Sequence, residues 1–310
     1  MMKLEIYAPK TKKVTFMKKH ILLFTIFLWV VSLLGGCGTQ EQAQIAATTL
    51  PVYEFTTLLC EGSGLTVTQL VTEQVSCLHD YSLNVRQVRA AEAAELIVIS
   101  GAGLEDFMAE LLQGKTVIDG SAGIDLIEGG HHHEHSEESH DDHHHEEDPH
   151  IWLSPACAKI MAGNICAGLM AQYPDHAALF EANLETLLAR LDALQAYGEA
   201  QLSDLRCREL ITFHDGFAYL AASFDLTILE AVEEESGSEA SAAELVHLIE
   251  EVRHHALPAI FTETLGSVSA ARIIAAETGA RTYTLDMVMH GDSYFDAMYR
   301  NIDTLKGALG

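Results

Sequence analysis

The sequence predicts an α/β protein of two lobes, each a parallel sheet flanked by helices, with one long helix joining them. Three observations carry that reading. Short apolar runs alternate with amphipathic segments in both halves, the pattern of strands and covering helices in a parallel sheet. A leucine-rich stretch at 175–202 keeps three- and four-residue spacing with no glycine until Gly198, which suits a long amphipathic helix. The stretch 131–150, HHHEHSEESHDDHHHEEDPH, holds nine histidines and eight carboxylates and, Pro149 aside, no aliphatic or aromatic hydrocarbon residue. It cannot bury a core, so it interrupts the first half as a solvated loop.

In the first half, residues 44–50 read as a strand and 51–61 as the helix behind it. Residues 65–71 form a second strand, followed by a loop holding Cys77, His79 and Asp80. A helix over 84–95 places Val88, Ala91 and Ala94 on one face. Residues 96–100 (LIVIS) are a third strand, apolar to its last position. Gly101-Ala102-Gly103 then turns the chain into a helix carrying Leu104, Phe107 and Leu111, and 116–119 is the fourth strand. After the histidine-rich loop, Asp148-Pro149-His150-Ile151-Trp152-Leu153 returns the chain to a folded body. Pro174-Asp175 starts the long helix, about 40 Å at 1.5 Å per residue, with Leu179, Leu184, Leu187, Leu188, Leu191, Leu194 and Leu202 recurring along it. An ordinary amphipathic helix of one domain is the plainer alternative to a strut.

The second half repeats the design. Strands are expected at 209–213, 226–232, 258–262 and 282–285, with helices at 215–224, 242–256, 267–279 and 293–309. His214, Glu263 and Asp286 each fall where a strand ends, the edge at which open parallel sheets bind ligands. The resulting division is 1–36, export signal; 37–128, N-terminal lobe; 129–149, histidine- and acid-rich loop; 150–174, end of that lobe; 175–204, connecting helix; 205–310, C-terminal lobe.

At the start, Lys18, Lys19 and His20 precede the apolar run 21–34, whose 14 residues fall short of the roughly 20 needed to span a bilayer. Leu34-Gly35-Gly36-Cys37 has the small residues before a lone cysteine that mark a cleaved and lipidated N-terminus. Residues 1–16 add nothing to that signal, which leaves Met17 as an alternative start. Removing 1–36 takes away six basic residues and one acid, leaving 12 basic against 44 acidic residues and a formal charge of −32. Such a surface excludes nucleic acid and anionic lipid as partners and favours cations. In an exported protein disulfides are permitted. Cys60 with Cys77 and Cys166 with Cys207 are the expected pairs, leaving Cys157 free, although spacing alone leaves other connectivities open. No C-x-x-C occurs, so neither a thiolate zinc site nor a redox motif is indicated.

The loop histidines His131, His132, His133, His135, His140, His143, His144 and His145 have imidazoles that are mostly uncharged at neutral pH, and the interleaved carboxylates add negative charge. Together they gather borderline divalent cations, zinc foremost. His79, His150, His214 and Asp286 form a second set. Two ligands from each lobe would place an ion in the cleft between lobes, and three imidazoles with one carboxylate match a closed tetrahedral zinc site. Taken singly, a histidine at a strand end is a common loop residue and an aspartate there a common helix cap. Their shared position is what joins them. Glu263 is the alternate ligand or supporting partner. Asp80 and Asp215 are candidates for orienting imidazoles, with capping as the equal alternative.

The segments His79-Asp80-Tyr81, LIVISGAGLE at 96–105, DPHIWLSP at 148–155, TFHDGFAYL at 212–220, 260–263 and 285–309 resemble, in order, the solute-binding lipoproteins of bacterial zinc and manganese ABC importers, the cluster with ZnuA- and AdcA-type proteins. The resemblance implies two lobes on a rigid long helix, an ion held between them, and ligands at His79, His150, His214 and Asp286. It implies Zn2+ as the bound ion, with Mn2+ second, because manganese members carry Glu where His214 stands. It also implies an ABC permease and its ATPase subunit as partners, an extracytoplasmic place on the cell membrane through a lipid at Cys37, a monomer, and no enzymatic activity. Cys77, two residues before His79, departs from the family's usual Pro or Asp near that ligand. A Cys60–Cys77 bridge would pin the His79 loop, whereas a free Cys77 thiolate would compete for zinc. The late disulfide of some relatives is missing. Two rival readings remain. A zinc hydrolase would keep three protein ligands and an open position, and no H-E-x-x-H occurs. A zinc buffer or adhesin would act through the loop alone.

Overall fold

The computed structural model describes residues 43–75, 78, 81–129, 147–232, 240–266, 268–291 and 293–310. The expected export signal, Cys37, Cys77, His79, Asp80 and the loop histidines lie outside these. Within 43–310, strands β1 (Ile45–Ala47), β2 (Val67–Gln69), β3 (Leu96–Ile99) and β4 (Thr116–Asp119) form one parallel sheet in the order β2-β1-β3-β4. Strands β5 (Glu209–Thr212), β6 (Thr227–Ala231), β7 (Ala259–Glu263) and β8 (Arg281–Leu285) form a second, in the order β6-β5-β7-β8. The two orders are the same, so the repeated sequence design is a repeated topology. Each sheet reverses direction of growth between its first and third strands, which leaves a crevice at their carboxyl ends.

Both faces of the inner strands are covered, which is why they read as nearly continuous apolar runs. β7 is buried along its whole length. Its Ala259 and Phe261 join one hydrophobic cluster, while Ile260 between them joins another, as the two-residue period of a strand demands. The helices begin where their caps stand. Helix α1 (Leu50–Leu59) carries Pro51 in its first turn, and Asn84 caps α2 (Val85–Ala93) in a reciprocal box with Gln87. A 3₁₀ turn (Asp106–Met108) leads into α3 (Ala109–Leu112). Helix α4 (Pro155–Gln172) is capped by Ser154. The second sheet is flanked by α6 (Ala218–Ser223), α7 (Ala242–His254), α8 (Ser269–Thr278) and α9 (Tyr294–Leu309).

Helix α5 (Ala177–Leu202) is the expected strut, entered through a 3₁₀ turn over Pro174–His176. Its buried stripe is Phe180, Leu187, Leu191, Leu194, Gly198 and Leu202. Side chains hold it to both sheets' helices. Asn183 Nδ2 donates to the carbonyls of Leu59 and Glu61 at the end of α1, and Tyr197 Oη donates to Asp303 on α9 at 2.6 Å. Arg208, just past its end, donates to the carbonyls of Leu202, Ser203, Phe224 and Asp225, closing the orphan carbonyls of α5 and α6 together. No helix among the described residues is long and apolar enough to cross a membrane.

Three expectations change. The helix expected over 215–224 shortens to α6, because Gly216 and the residues around His214 are used for the site described below. Helix α4 was not foreseen. The disulfide expectation is corrected: Cys60, Cys157, Cys166 and Cys207 are free thiols, so neither Cys60–Cys77 nor Cys166–Cys207 is closed. Cys60 lies in the core with burial pushing its thiol up to about 12. Cys166 faces Met170 one turn along α4, and Cys207 Sγ faces the Glu209 carbonyl ahead of β5. The sulfurs of Cys166 and Cys207 each meet a neighbour close in sequence, and sequence spacing carries no information about that.

Candidate metal centre

The site is assembled from His150 upward. Glu128 and Glu147 form an isolated antiparallel bridge, and Asp148 N–H donates to the Ile127 carbonyl at 2.9 Å. Residues 127–128 and 147–148, on either side of the histidine-rich stretch in the sequence, therefore meet at one neck. Tyr219 Oη on α6 accepts from Ile127 N–H at 2.9 Å, which fixes the neck to the second lobe. One residue further, Asp148 Oδ1 accepts from His150 N–H at 2.9 Å and lies 2.7 Å from His150 Nδ1. Both residues are almost fully buried.

A carboxylate this close to Nδ1 orients the ring and leaves Nε2 as the nitrogen free to meet an ion, the arrangement that supports a metal-binding imidazole. His150 Nε2 is buried and has no hydrogen-bond partner among the described residues. A buried polar atom left this way is destabilising unless something else meets it. Trp152 packs edge-on against the same ring at 5.4 Å between centroids. Its indole N–H donates to the Met287 carbonyl at 2.8 Å, and Tyr294 Oη donates to the Trp152 carbonyl at 2.8 Å. The 3₁₀ turn Ile151–Leu153 is thus tied to the loop after β8 and to α9.

His214 follows β5 at the crevice of the second sheet. Its ring centre lies 5.4 Å from that of His150, nearly perpendicular. Glu263, ending β7 beside it, is 6% exposed and its Oε2 lies 3.7 Å from His214 Nδ1. Gly216 is required here. A Cβ on it would sit 2.6 Å from Met287 Cε, 2.8 Å from His214 Cδ2 and 2.9 Å from His150 Cε1, so the bare backbone is what allows the two imidazoles to meet.

Asp286 follows β8 with its backbone clamped by Asn301, whose side chain accepts from Asp286 N–H at 2.8 Å and donates to its carbonyl at 2.7 Å. Its Oδ1 accepts from Val288 N–H at 2.8 Å, and its Oδ2 lies 3.7 Å from the Arg300 guanidinium. Of the four expected ligands, then, His150 and His214 are brought together, Asp286 is held by its own partners, and His79 lies outside the described residues. Among the described residues no three His, Cys, Asp or Glu side chains gather as a coordination shell. Glu263 stands at the imidazole pair. Asp148 is the functional residue the sequence reading missed, and its signal was there: an aspartate two residues before a histidine, in a turn set by Pro149.

Comparison with known proteins identifies the family and the fold. The family described as "Zinc-uptake complex component A periplasmic" matches residues 45–308. The high-affinity zinc uptake system protein ZnuA of Bacillus subtilis is 31% identical over 301 residues, 89% of this chain and 94% of that protein. The zinc-binding lipoprotein AdcA of Streptococcus pneumoniae is 30% identical over 292 residues, 88% of this chain and 58% of AdcA, so the chain spans somewhat over half of that relative. Among solved structures, the Zn(II)-bound ZnuA-like domain of Streptococcus pneumoniae AdcA aligns with a TM-score of 0.72 at 26% identity, covering 87% of this chain and 99% of that one.

Proposed function

The chain belongs to the family of periplasmic component A of zinc-uptake complexes, and from that membership we infer that it is the solute-binding protein of an ABC importer with Zn2+ as its cargo. It captures the ion outside the cytoplasm and passes it to a membrane permease driven by an ATPase subunit. It is a binding protein and not an enzyme. The observation that best supports the reading is His150: a buried imidazole, its Nδ1 held by Asp148 at 2.7 Å, its Nε2 bare, beside the ring of His214.

We assign His79, His150, His214 and Asp286 as the ligands, with Glu263 as a supporting or alternate carboxylate. Imidazole donors favour zinc over manganese, which prefers a harder oxygen set. Residues 1–36 serve as the export signal, and Cys37 carries the lipid that holds a monomer at the membrane. That assignment is supported by the lipobox-like Leu34-Gly35-Gly36-Cys37 and by a relative that is itself named a lipoprotein. The loop 131–145 gathers ions through its imidazoles and carboxylates.

The test is a competition titration of the metal-stripped protein with zinc and manganese, repeated for His150→Ala and His214→Ala. One tight zinc site is expected, indifferent to excess manganese. Each substitution should weaken it by more than about 100-fold, beyond the loss that follows from removing a supporting partner. Equal preference for manganese would move the protein to the manganese branch. An unchanged tight site in either variant would sink the ligand set.

A further inference from the structure

Helix α9 buries Tyr294, Met298, Ile302, Leu305 and Leu309, at the three- and four-residue spacing of an apolar face. One polar residue interrupts that face: Asn301 is 2% exposed. A buried amide is tolerated where its hydrogen bonds are met. Both side-chain bonds that Asn301 makes among the described residues go to the backbone of Asp286. Its Oδ1 accepts from Asp286 N–H at 2.8 Å, and its Nδ2 donates to the Asp286 carbonyl at 2.7 Å. The amide thus pairs with Asp286 as a neighbouring strand residue would, just where β8 ends. An apolar side chain would fill the same space on α9 and leave that backbone unheld.

The chain beyond Asp286 is under strain. Val288, which donates its N–H to Asp286 Oδ1, is buried with φ at +60°, a left-handed conformation that a β-branched residue adopts only under constraint. Trp152 holds the Met287 carbonyl at 2.8 Å, and Leu50 N–H donates to the Met289 carbonyl at 3.3 Å. Strained backbone persists where its surroundings over-determine it, and it concentrates at ligand clamps. Arg300 is the other group that reaches Asp286. Its side chain is 65% exposed and stands 3.7 Å from Oδ2, so water screens the pair and it does little to fix a direction. Asn301 is the buried grip.

We propose that Asn301 is the positioning residue for Asp286 in zinc capture: by gripping the backbone on both sides of that residue's Cα, it sets the direction in which the carboxylate leaves β8. This rests on Asp286 being a ligand. A carboxylate whose backbone is already fixed has less conformational freedom to lose when the ion arrives. Asn301 acts through Asp286 and does not itself touch the ion, because both ends of its amide are spent on the backbone.

The test is zinc affinity, by chelator competition on the purified protein, for Asn301→Ala and Asn301→Ser in the wild-type and Asp286→Ala backgrounds, with a thermal midpoint for each variant. Asn301→Ala is expected to weaken zinc binding by about tenfold or more, the range seen when a supporting partner is removed. Asn301→Ser, whose hydroxyl can meet one of the two backbone groups, should lose less, and it carries the same comparison if the alanine variant does not fold. In the Asp286→Ala background neither change should weaken binding further, the coupling expected of residues that act as a unit. A loss of equal size in both backgrounds would show a merely structural clamp and overturn the proposal. So would unchanged affinity in the folded Asn301 variants while Asp286→Ala binds poorly. If Asp286→Ala alone leaves affinity intact, the ligand assignment fails and takes the proposal with it, a result read without touching Asn301.

Discussion

Glu105 is 3% exposed at the carboxyl ends of β1 and β3, where it accepts from Thr48 Oγ1 at 2.6 Å, Ser100 N–H at 2.8 Å and Gly101 N–H at 3.0 Å. Burial pushes its carboxyl up to about 7, against the pull of those three donors. A carboxyl whose folded value lies above its unfolded value of 4.5 favours folding in its protonated form. That contribution is fully present below pH 4.5 and is lost as pH rises through 7. Between pH 5 and pH 8 the wild type should therefore lose of order 2–3 kcal/mol relative to Glu105→Gln, read as the difference between their unfolding free energies at the two pH values. Parallel pH profiles for the two proteins would contradict it. At this scale the sequence was legible where chemistry and topology coincide. His214, Glu263 and Asp286 stood out because strand ends in a parallel sheet are few and carry ligands. Asp148 was hidden inside an acidic run, where seven other carboxylates look the same until one of them is seen buried against an imidazole.

Helices α4 and α5 show how far periodicity reaches. The long-helix stripe was visible because leucines mark one face against a charged background. Helix α4 was missed because alanine, glycine, cysteine and methionine lie on all its faces, and seven of its residues are buried; Ser154-Pro155 ahead of it was the cap that could have revealed it. Gly198 illustrates the opposite case, a residue whose helix propensity argues against its own position. Replacing a helical glycine by alanine ordinarily gains up to about 1 kcal/mol. Here a Cβ would lie 2.2 Å from Phe224 Cε1 and 2.4 Å from Cζ, so the ring must move. Gly198→Ala should instead destabilise by roughly 1–3 kcal/mol, seen as a lower midpoint in denaturant at unchanged slope. A stabilised variant would mean that Phe224 has room to turn away.

Among the described residues one hydrophobic cluster spans both lobes, with Phe55 and Trp152 before the strut, Leu187 and Leu191 on it, and Phe217 and Phe295 after it. Polar contacts follow the same route. Glu54 on α1 accepts from Tyr294 N–H and lies 3.4 Å from Ser293 Oγ at the start of α9. Arg190 on α5 approaches its carboxylate at 3.9 Å while stacking over Phe295 at 3.9 Å. A first-half carboxylate thus completes the cap of the last helix. Glu54→Ala should lower stability by about 1–2 kcal/mol and speed hydrogen exchange at Tyr294, whereas undiminished protection there would refute the cap. None of this was legible in the sequence, since contacts between residues 240 apart leave no local pattern. The repeated alternation of strands and helices was legible, and so was the strut; the strand order was not. A body packed this way, with low compressibility through its interior and a strut fastened at both ends, behaves under load as a stiff beam. A push on the outer face of either sheet reaches the two imidazoles with little of its displacement spent in bending on the way.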